Sequence, residues 1–123
     1  MQKVLFLTTT HHYNDDRIFY HQAKELKAQG YEVKICSLSS SSYQGYINEI
    51  EIESYSVITE SIERKIEVFQ NICDSFQPDC IICSEPLAVI AAKKFWKKNV
   101  SIVYDITEWY PSMRMVQNYN SLF

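Results

Sequence analysis

Val4-Leu5-Phe6-Leu7 is a run of four apolar residues with no polar alternation. A strand with one wet face alternates, whereas a short uniform run suits a strand covered on both faces. Lys3 bounds the run on one side and Thr8-Thr9-Thr10 on the other, so the first strand is expected over Lys3 to Thr9. Cys80-Ile81-Ile82-Cys83 and Ser101-Ile102-Val103-Tyr104 read the same way. Strands buried on both faces require layers above and below them, which restricts the chain to an α/β architecture.

The intervening segments supply those layers. A helix is expected from an Asp15 or Asp16 N-cap to about Gln29, with Ile18, Phe19, Ala23 and Leu26 on one face and Gly30 as its stop. Tyr31 to Cys36 follows as a second strand, the short join of a doubly wound unit. The serine run Ser39 to Ser42, with Tyr43, Gln44 and Gly45, reads as a loop. Ile50, Ile52 and Tyr55 predict a short third strand at an edge. Ser56 or Thr59 is the candidate cap of a second helix carrying Ile58, Ile62, Ile66, Phe69, Ile72, Cys73 and Phe76. Asp79 to Ser84 is the fourth strand, and Pro86 suits the first turn of a third helix packed through Ala88, Ala91, Ala92 and Phe95. Ser101 to Tyr104 is the fifth. Right-handed crossovers then give a parallel sheet of order 3-2-1-4-5 with helices on both faces.

The chain is 123 residues long, enough for one domain with a real core. A net charge of −3 argues against a nucleic-acid partner, which would call for a basic surface. Lys93, Lys94, Lys97 and Lys98 form a local basic cluster, read as a solvated helix end or as a peripheral contact with anionic membrane. The CxxC pair Cys80 and Cys83 lies on a strand, where residues three apart face opposite ways. That geometry defeats a redox pair or a metal knuckle, so no metal is expected, and the thiols read as small hydrophobes in a reducing, cytoplasmic setting. With Gly30 and Gly45 as the only glycines, neither GxGxxG, a Walker A loop nor a Gly-x-Ser-x-Gly elbow is present. No cofactor is expected. A phospho-receiver of this topology would need an Asp after the third strand and a Lys after the fifth, and neither is in place.

Ligands of open α/β sheets bind outside the carboxyl ends of the strands, where the strand order reverses. The order above puts that point between the first and fourth strands. His11, Asp15 and Arg17 then lie beside Glu85, with Asp105 and Glu108 one strand further on. Arg17 suits bidentate contact with an anion.

The residues from Lys3 to Cys36, with His11, Asp15-Asp16-Arg17-Ile18-Phe19, Leu26 and Gly30-Tyr31-Glu32-Val33, resemble the amino-terminal domain of GT-B glycosyltransferases of family 4. Pro78-Asp79-Cys80-Ile81-Ile82 resembles their Pro-Asp-hydrophobic strand, and Ser84-Glu85-Pro86 the turn after it. Val103-Tyr104-Asp105-Ile106-Thr107-Glu108 resembles their Tyr-Asp-x-His-Glu motif. The resemblance implies a three-layer Rossmann-like domain, half of a GT-B fold, that is itself short of its last strands. It implies an acceptor-binding role in transfer from a nucleotide-sugar to a glycan or lipid-linked acceptor. Transfer would be of the retaining hexosyl type, without a bound metal. Asp105, Thr107 and Glu108 take the catalytic positions; His11, Asp15, Arg17, Glu85 and Trp109 take the acceptor side. Most of the donor site belongs to a carboxyl-terminal domain that is not within residues 1–123.

Two departures stand out. The family's His falls on Thr107, whose hydroxyl cannot carry a proton near neutral pH as imidazole does. Thr8-Thr9-Thr10 stands where many members have a glycine-rich turn. The rival expectation is a degenerate or split, non-catalytic domain that binds carbohydrate or scaffolds a partner subunit.

Overall fold

The computed structural model describes residues 2–9, 17–47, 49–57 and 59–104, with the side chains of 17–20, 97 and 98 left aside. Its elements are β1 (Lys3–Thr9), α1 (Arg17–Ala28), β2 (Glu32–Ser39), β3 (Tyr43–Ile47), β4 (Ile50–Ser56), α2 (Ile62–Phe76), β5 (Cys80–Cys83), α3 (Pro86–Ala92) and β6 (Ser101–Tyr104). Helix α3 runs on into a 3-10 turn over Lys93–Lys98. The sheet has the order β3-β4-β2-β1-β5-β6. Every neighbouring pair is parallel except β3 with β4. The five parallel strands reproduce the order expected from the sequence.

β1 sits between two cores. Leu5 and Leu7 face one side, with Cys36, Leu38, Ile81 and Cys83, beneath Phe69, Ile72 and Cys73 of α2 and the small Ala88, Ala91 and Ala92 of α3. Val4 and Phe6 face the other, with Val33, Ile35, Ile50 and Ile52, beneath Ala23 and Leu26 of α1. Leu5, Phe6 and Leu7 are fully buried, as the uniform apolar run demanded. Cys80 packs in one core and Cys83 in the other. All four thiols are free, and burial above all pushes Cys73 and Cys83 up to about 12, which leaves them as inert core groups.

The helix ends follow local chemistry. Gly30 has φ 98, and its N–H donates to the Lys27 carbonyl while that of Tyr31 donates to Leu26, a Schellman closure. The cap of α2 is Ser61, not Ser56 or Thr59; its hydroxyl accepts from the Arg64 N–H at 3.2 Å. Ser56 is instead the last residue of β4. Ile62 of the expected apolar face is exposed in the first turn, while Phe69, Ile72, Cys73 and Phe76 are buried. Asp79 stitches the amino edge of the sheet: its carboxylate accepts from the Lys3 N–H at 2.8 Å, its own N–H donates to the Lys3 carbonyl, and its carbonyl accepts from Ser101. Among the described residues no helix is long and apolar enough to cross a membrane.

Two elements differ from the sequence reading. β6, expected to be covered on both faces, is exposed at Ser101, Val103 and Tyr104, because it is the last strand among the described residues and has a neighbour there on one side only. Tyr43-Gln44-Gly45, expected as loop, begins a strand, Tyr43–Ile47, that pairs antiparallel with β4 and takes the sheet edge from it. Tyr43-Gln44-Gly45-Tyr46-Ile47 lacks the alternation that marks a strand, so pairing rather than propensity decides its state. Ile47 pairs with Ile50 across a two-residue turn in which Glu49 has φ 74. Such a turn suits the twist of a hairpin. The Lys27 ammonium donates to the Glu49 carbonyl, tying the turn to α1. The serine run is equally anchored: Ser39 and Ser54 share a 2.6 Å hydroxyl bond, and the Ser54 hydroxyl donates to the Ser41 carbonyl at 2.8 Å.

Gly30→Ala meets open space but keeps an L residue at positive φ. It should cost about 1 kcal/mol, read as a lower urea midpoint at unchanged slope.

Candidate functional site

Because β1, β2, β4, β5 and β6 run parallel, their carboxyl ends share one rim. The chain leaves β1 toward β2 on one side and returns through α2 to β5 on the other, so strand order reverses between β1 and β5. Hydroxyls line this rim. Thr8 pairs with Ser37, and Ser37 with Ser54, in the strand register. Ser84, just past β5, donates to the Thr8 hydroxyl at 3.0 Å, and its N–H donates to the Leu7 carbonyl at 3.2 Å. Four adjacent strands or their ends thus contribute hydroxyls to one row on the face that α1 covers, in phase with Val4, Phe6, Val33, Ile35 and Ile52, and Ser39 of β2 adds a further buried one bonded to Ser54. Thr8, Ser37 and Ser54 are buried, and among the described residues the Ser37 hydroxyl has no hydrogen-bond partner. Buried hydroxyls normally find partners, so this one stands out.

Helix α1 adds its amino end to the rim. It finishes near the amino edge, where Glu32 N–H reaches the Gln2 carbonyl, and its 12 residues span about 18 Å back across the sheet. Its first residue, Arg17, therefore opens at the carboxyl side. Glu85 occupies the N-cap position of α3 in an extended conformation, half-buried, directly after Ser84. Tyr104 ends β6 in register with Cys83. The flanks of every sequence-predicted site segment thus converge: Thr9, the start of α1, Ser84-Glu85 and Tyr104. Of the residues themselves, Glu85 is described, and Arg17 through its backbone alone. His11, Asp15, Asp105, Thr107, Glu108 and Trp109 lie outside the described residues.

The sequence reading did not include Ser37, Ser54, Thr8 or Ser84 among the site residues. Their signal was present: each is a hydroxyl in the inward phase of an apolar strand, at its carboxyl end. Such a row can donate hydrogen bonds to ligand oxygens, but hydroxyls alone supply no general base at neutral pH. Among the described residues no group of three His, Cys, Asp or Glu is placed to hold a metal ion.

A second polar centre lies on the opposite face, toward α2. Lys34 of β2 bonds Glu53 of β4 at 2.6 Å and approaches Glu51 at 3.4 Å. The Tyr55 hydroxyl donates to Glu53 Oε2 at 2.7 Å and Gln44 donates to Oε1 at 3.3 Å. Burial alone would lower the Lys34 pKa; the hydrogen bond and charge of Glu53, with Glu51, outweigh it and leave it raised. Burial would raise the Glu53 carboxyl; the bonds from Lys34 and Tyr55 and the Lys34 charge outweigh that and leave it lowered. Burial, then the bond to Glu53, drives the Tyr55 phenol far up. This pair is ionised across the neutral range.

No protein-family model and no curated protein matches the chain. Among solved structures it is similar to the crystal structure of a deacetylase triple mutant (Orf2*T) involved in the teicoplanin biosynthetic pathway. The TM-score is 0.61 at 12% identity, over 86% of this chain and 65% of that one. The fold is Rossmann-like α/β. At such identity the likeness speaks to fold alone, and the chain spans about two thirds of its neighbour's length.

Glu53→Gln should destabilise the chain by about 3 kcal/mol, because it strands a buried ammonium that keeps only Glu51. Glu53, held below 4.5, contributes stability that is present above that value and lost as pH falls through its folded-state pKa. Lys34, held above 10.5, contributes stability that is complete below that value and lost as pH rises through its folded-state pKa. Urea titrations across pH should therefore give a wild-type–mutant gap that is flat near neutrality and narrows in acid.

Proposed function

We propose that this chain is the acceptor-side domain of a GT-B sugar transferase, which presents an acceptor hydroxyl to a nucleotide-sugar held by a second domain. The observation that carries the reading is positional. The segments that resemble the family, in their order along the chain, flank the elements that meet at one carboxyl rim: Asp15-Asp16-Arg17 leading into α1, Ser84-Glu85-Pro86 after β5, and Tyr104, the last residue of β6, with Asp105 next in the sequence. Gly30 and Asp79, which belong to the same resemblance, do structural work at the opposite edge.

In this reading the acceptor oxygen forms a bond to the sugar's anomeric carbon as the bond to the nucleoside diphosphate breaks. The acceptor's proton passes to a carboxylate such as Asp105 or Glu108, or to the departing phosphate. Arg17, His11, Asp15, Glu85 and Trp109 hold the acceptor, and the rim hydroxyls add hydrogen-bonding capacity. The domain's contribution is orientation and fixed electrostatics, which supply much of the rate of a bimolecular transfer. With Thr107 in the family's His position, proton removal rests on those carboxylates or on the departing phosphate.

That same substitution favours a second reading, a non-catalytic domain that binds carbohydrate or scaffolds a partner subunit. A lipid-linked acceptor also brings a peripheral membrane contact, for which Trp96, 73% exposed between Lys93-Lys94 and Lys97-Lys98, has the composition.

The test assays nucleoside diphosphate release from a panel of sugar nucleotides with glycan and lipid-linked acceptors, with the domain covalently continuous with, or mixed with, its donor half. Acceptor-dependent release is expected, falling at least about 100-fold in Asp105→Asn and Arg17→Ala. Glycan binding with no release under any donor supports the non-catalytic reading, and neither binding nor release overturns both. Trp96→Ser should lower co-sedimentation with anionic vesicles and leave release from soluble acceptors unchanged.

A further inference from the structure

We propose that the depression between β3 and the end of β4 is a subsite for one neutral sugar ring. Its volume is about 360 Å3, and Ser42, Tyr43, Gln44, Glu53, Ser54 and Tyr55 line it. That volume falls within the roughly 300–1,000 Å3 of small-molecule sites. It lies at the outer edge of the sheet, beyond β2 as seen from β1, and shares only Ser54 with the row of hydroxyls along the rim. The proposal stands whether or not the transferase reading does.

Charge and hydrogen-bond capacity select the ligand. Gln44 and Glu53 are cross-strand partners, and Glu53 is held ionised by Lys34 at 2.6 Å. Lys34 compensates Glu53 where it lines the cavity; with Glu51 3.4 Å from the same ammonium the centre keeps one net negative charge, which disfavours an anionic ligand and suits a neutral one rich in hydroxyl donors. Glu53 Oε1 accepts from Lys34 and Gln44, and Oε2 accepts from Tyr55. A carboxylate has about four acceptor directions, so one remains on Oε2. Gln44 keeps its carbonyl oxygen and a second N–H, and the Tyr55 oxygen keeps a lone pair. The cavity thus offers several acceptors, one donor and an aromatic ring within a few ångströms. Vicinal hydroxyls, each both donor and acceptor, on a ring with apolar C–H faces, match that set.

Stability does not account for the arrangement. An ion pair buried to this degree contributes little beyond what apolar residues of the same volume would. What it does supply is a fixed carboxylate at the floor of an open cavity, with its protonation state set against changes in pH.

The test is an NMR titration of the whole 123-residue chain with glucose, galactose, mannose and N-acetylglucosamine, and in parallel with choline as a cationic probe. At least one sugar is expected to shift amides of residues 42–44 and 53–55 with Kd on the order of 1 mM. Gln44→Ala, at an exposed position, should weaken that binding about tenfold with little change in melting temperature. Ser84→Ala, at the switch-point rim, should leave it unchanged, so that this site and the transferase site are read separately. Absence of shifts at these residues with every sugar overturns the proposal. So does binding indifferent to Gln44→Ala, or a response to choline alone.

Discussion

Everything in this molecule depends on β1 being covered on both faces. Leu5 and Leu7 hold α2 and α3 against one side, and Val4 and Phe6 hold α1 against the other. Each side would lose its centre if the strand slipped by one residue, because a one-residue slip sends every side chain to the wrong face. The pairing of β1 with both β2 and β5 also makes the switch point, so one stretch of seven residues fixes the core and the position of the rim.

The two edges of the sheet are built from different chemistry. At the amino edge, Asp79, Lys3 and Ser101 close a set of hydrogen bonds that ties β1, β5 and β6 together. At the carboxyl edge, the strands end in hydroxyls and the helices begin, so dipoles and donors point the same way. Asp79 and Glu85 are both acids beside a proline, yet one staples strands while the other stands at a helix start on the rim. Position relative to strand direction, not residue type, separates the structural acid from the candidate functional one.

The Lys34–Glu53 centre shows how a polar group can sit within an apolar layer. Its lysine lies over the Phe76 ring at 5.7 Å, and its carboxylate takes three donors. Satisfaction of that carboxylate explains why two charges are tolerated next to Cys36 and Leu38. Nothing in Val33-Lys34-Ile35 or Ile52-Glu53-Ser54 announces it, since alternation in a strand assigns such charges to solvent.

Read as a sequence, the chain determined its layered α/β class, the order of its parallel strands, the Gly30 stop, the Pro86 start and the opposite facing of Cys80 and Cys83. These follow from period, short-range sterics and the handedness of crossovers, which act within a few residues or through general rules. Of the proposed site, sequence made legible which segments end at the rim. Tertiary structure decided the rest: that Tyr43–Ile47 joins the sheet, that Ser61 caps α2, that Thr8, Ser37, Ser54 and Ser84 fall into one row, and that Lys34 finds Glu53. The reason is common to all but the cap. Each is a cross-strand relation between residues distant in sequence, set by register. The cap shifted because three hydroxyl residues compete within six positions, and the end of β4 claims Ser56 first.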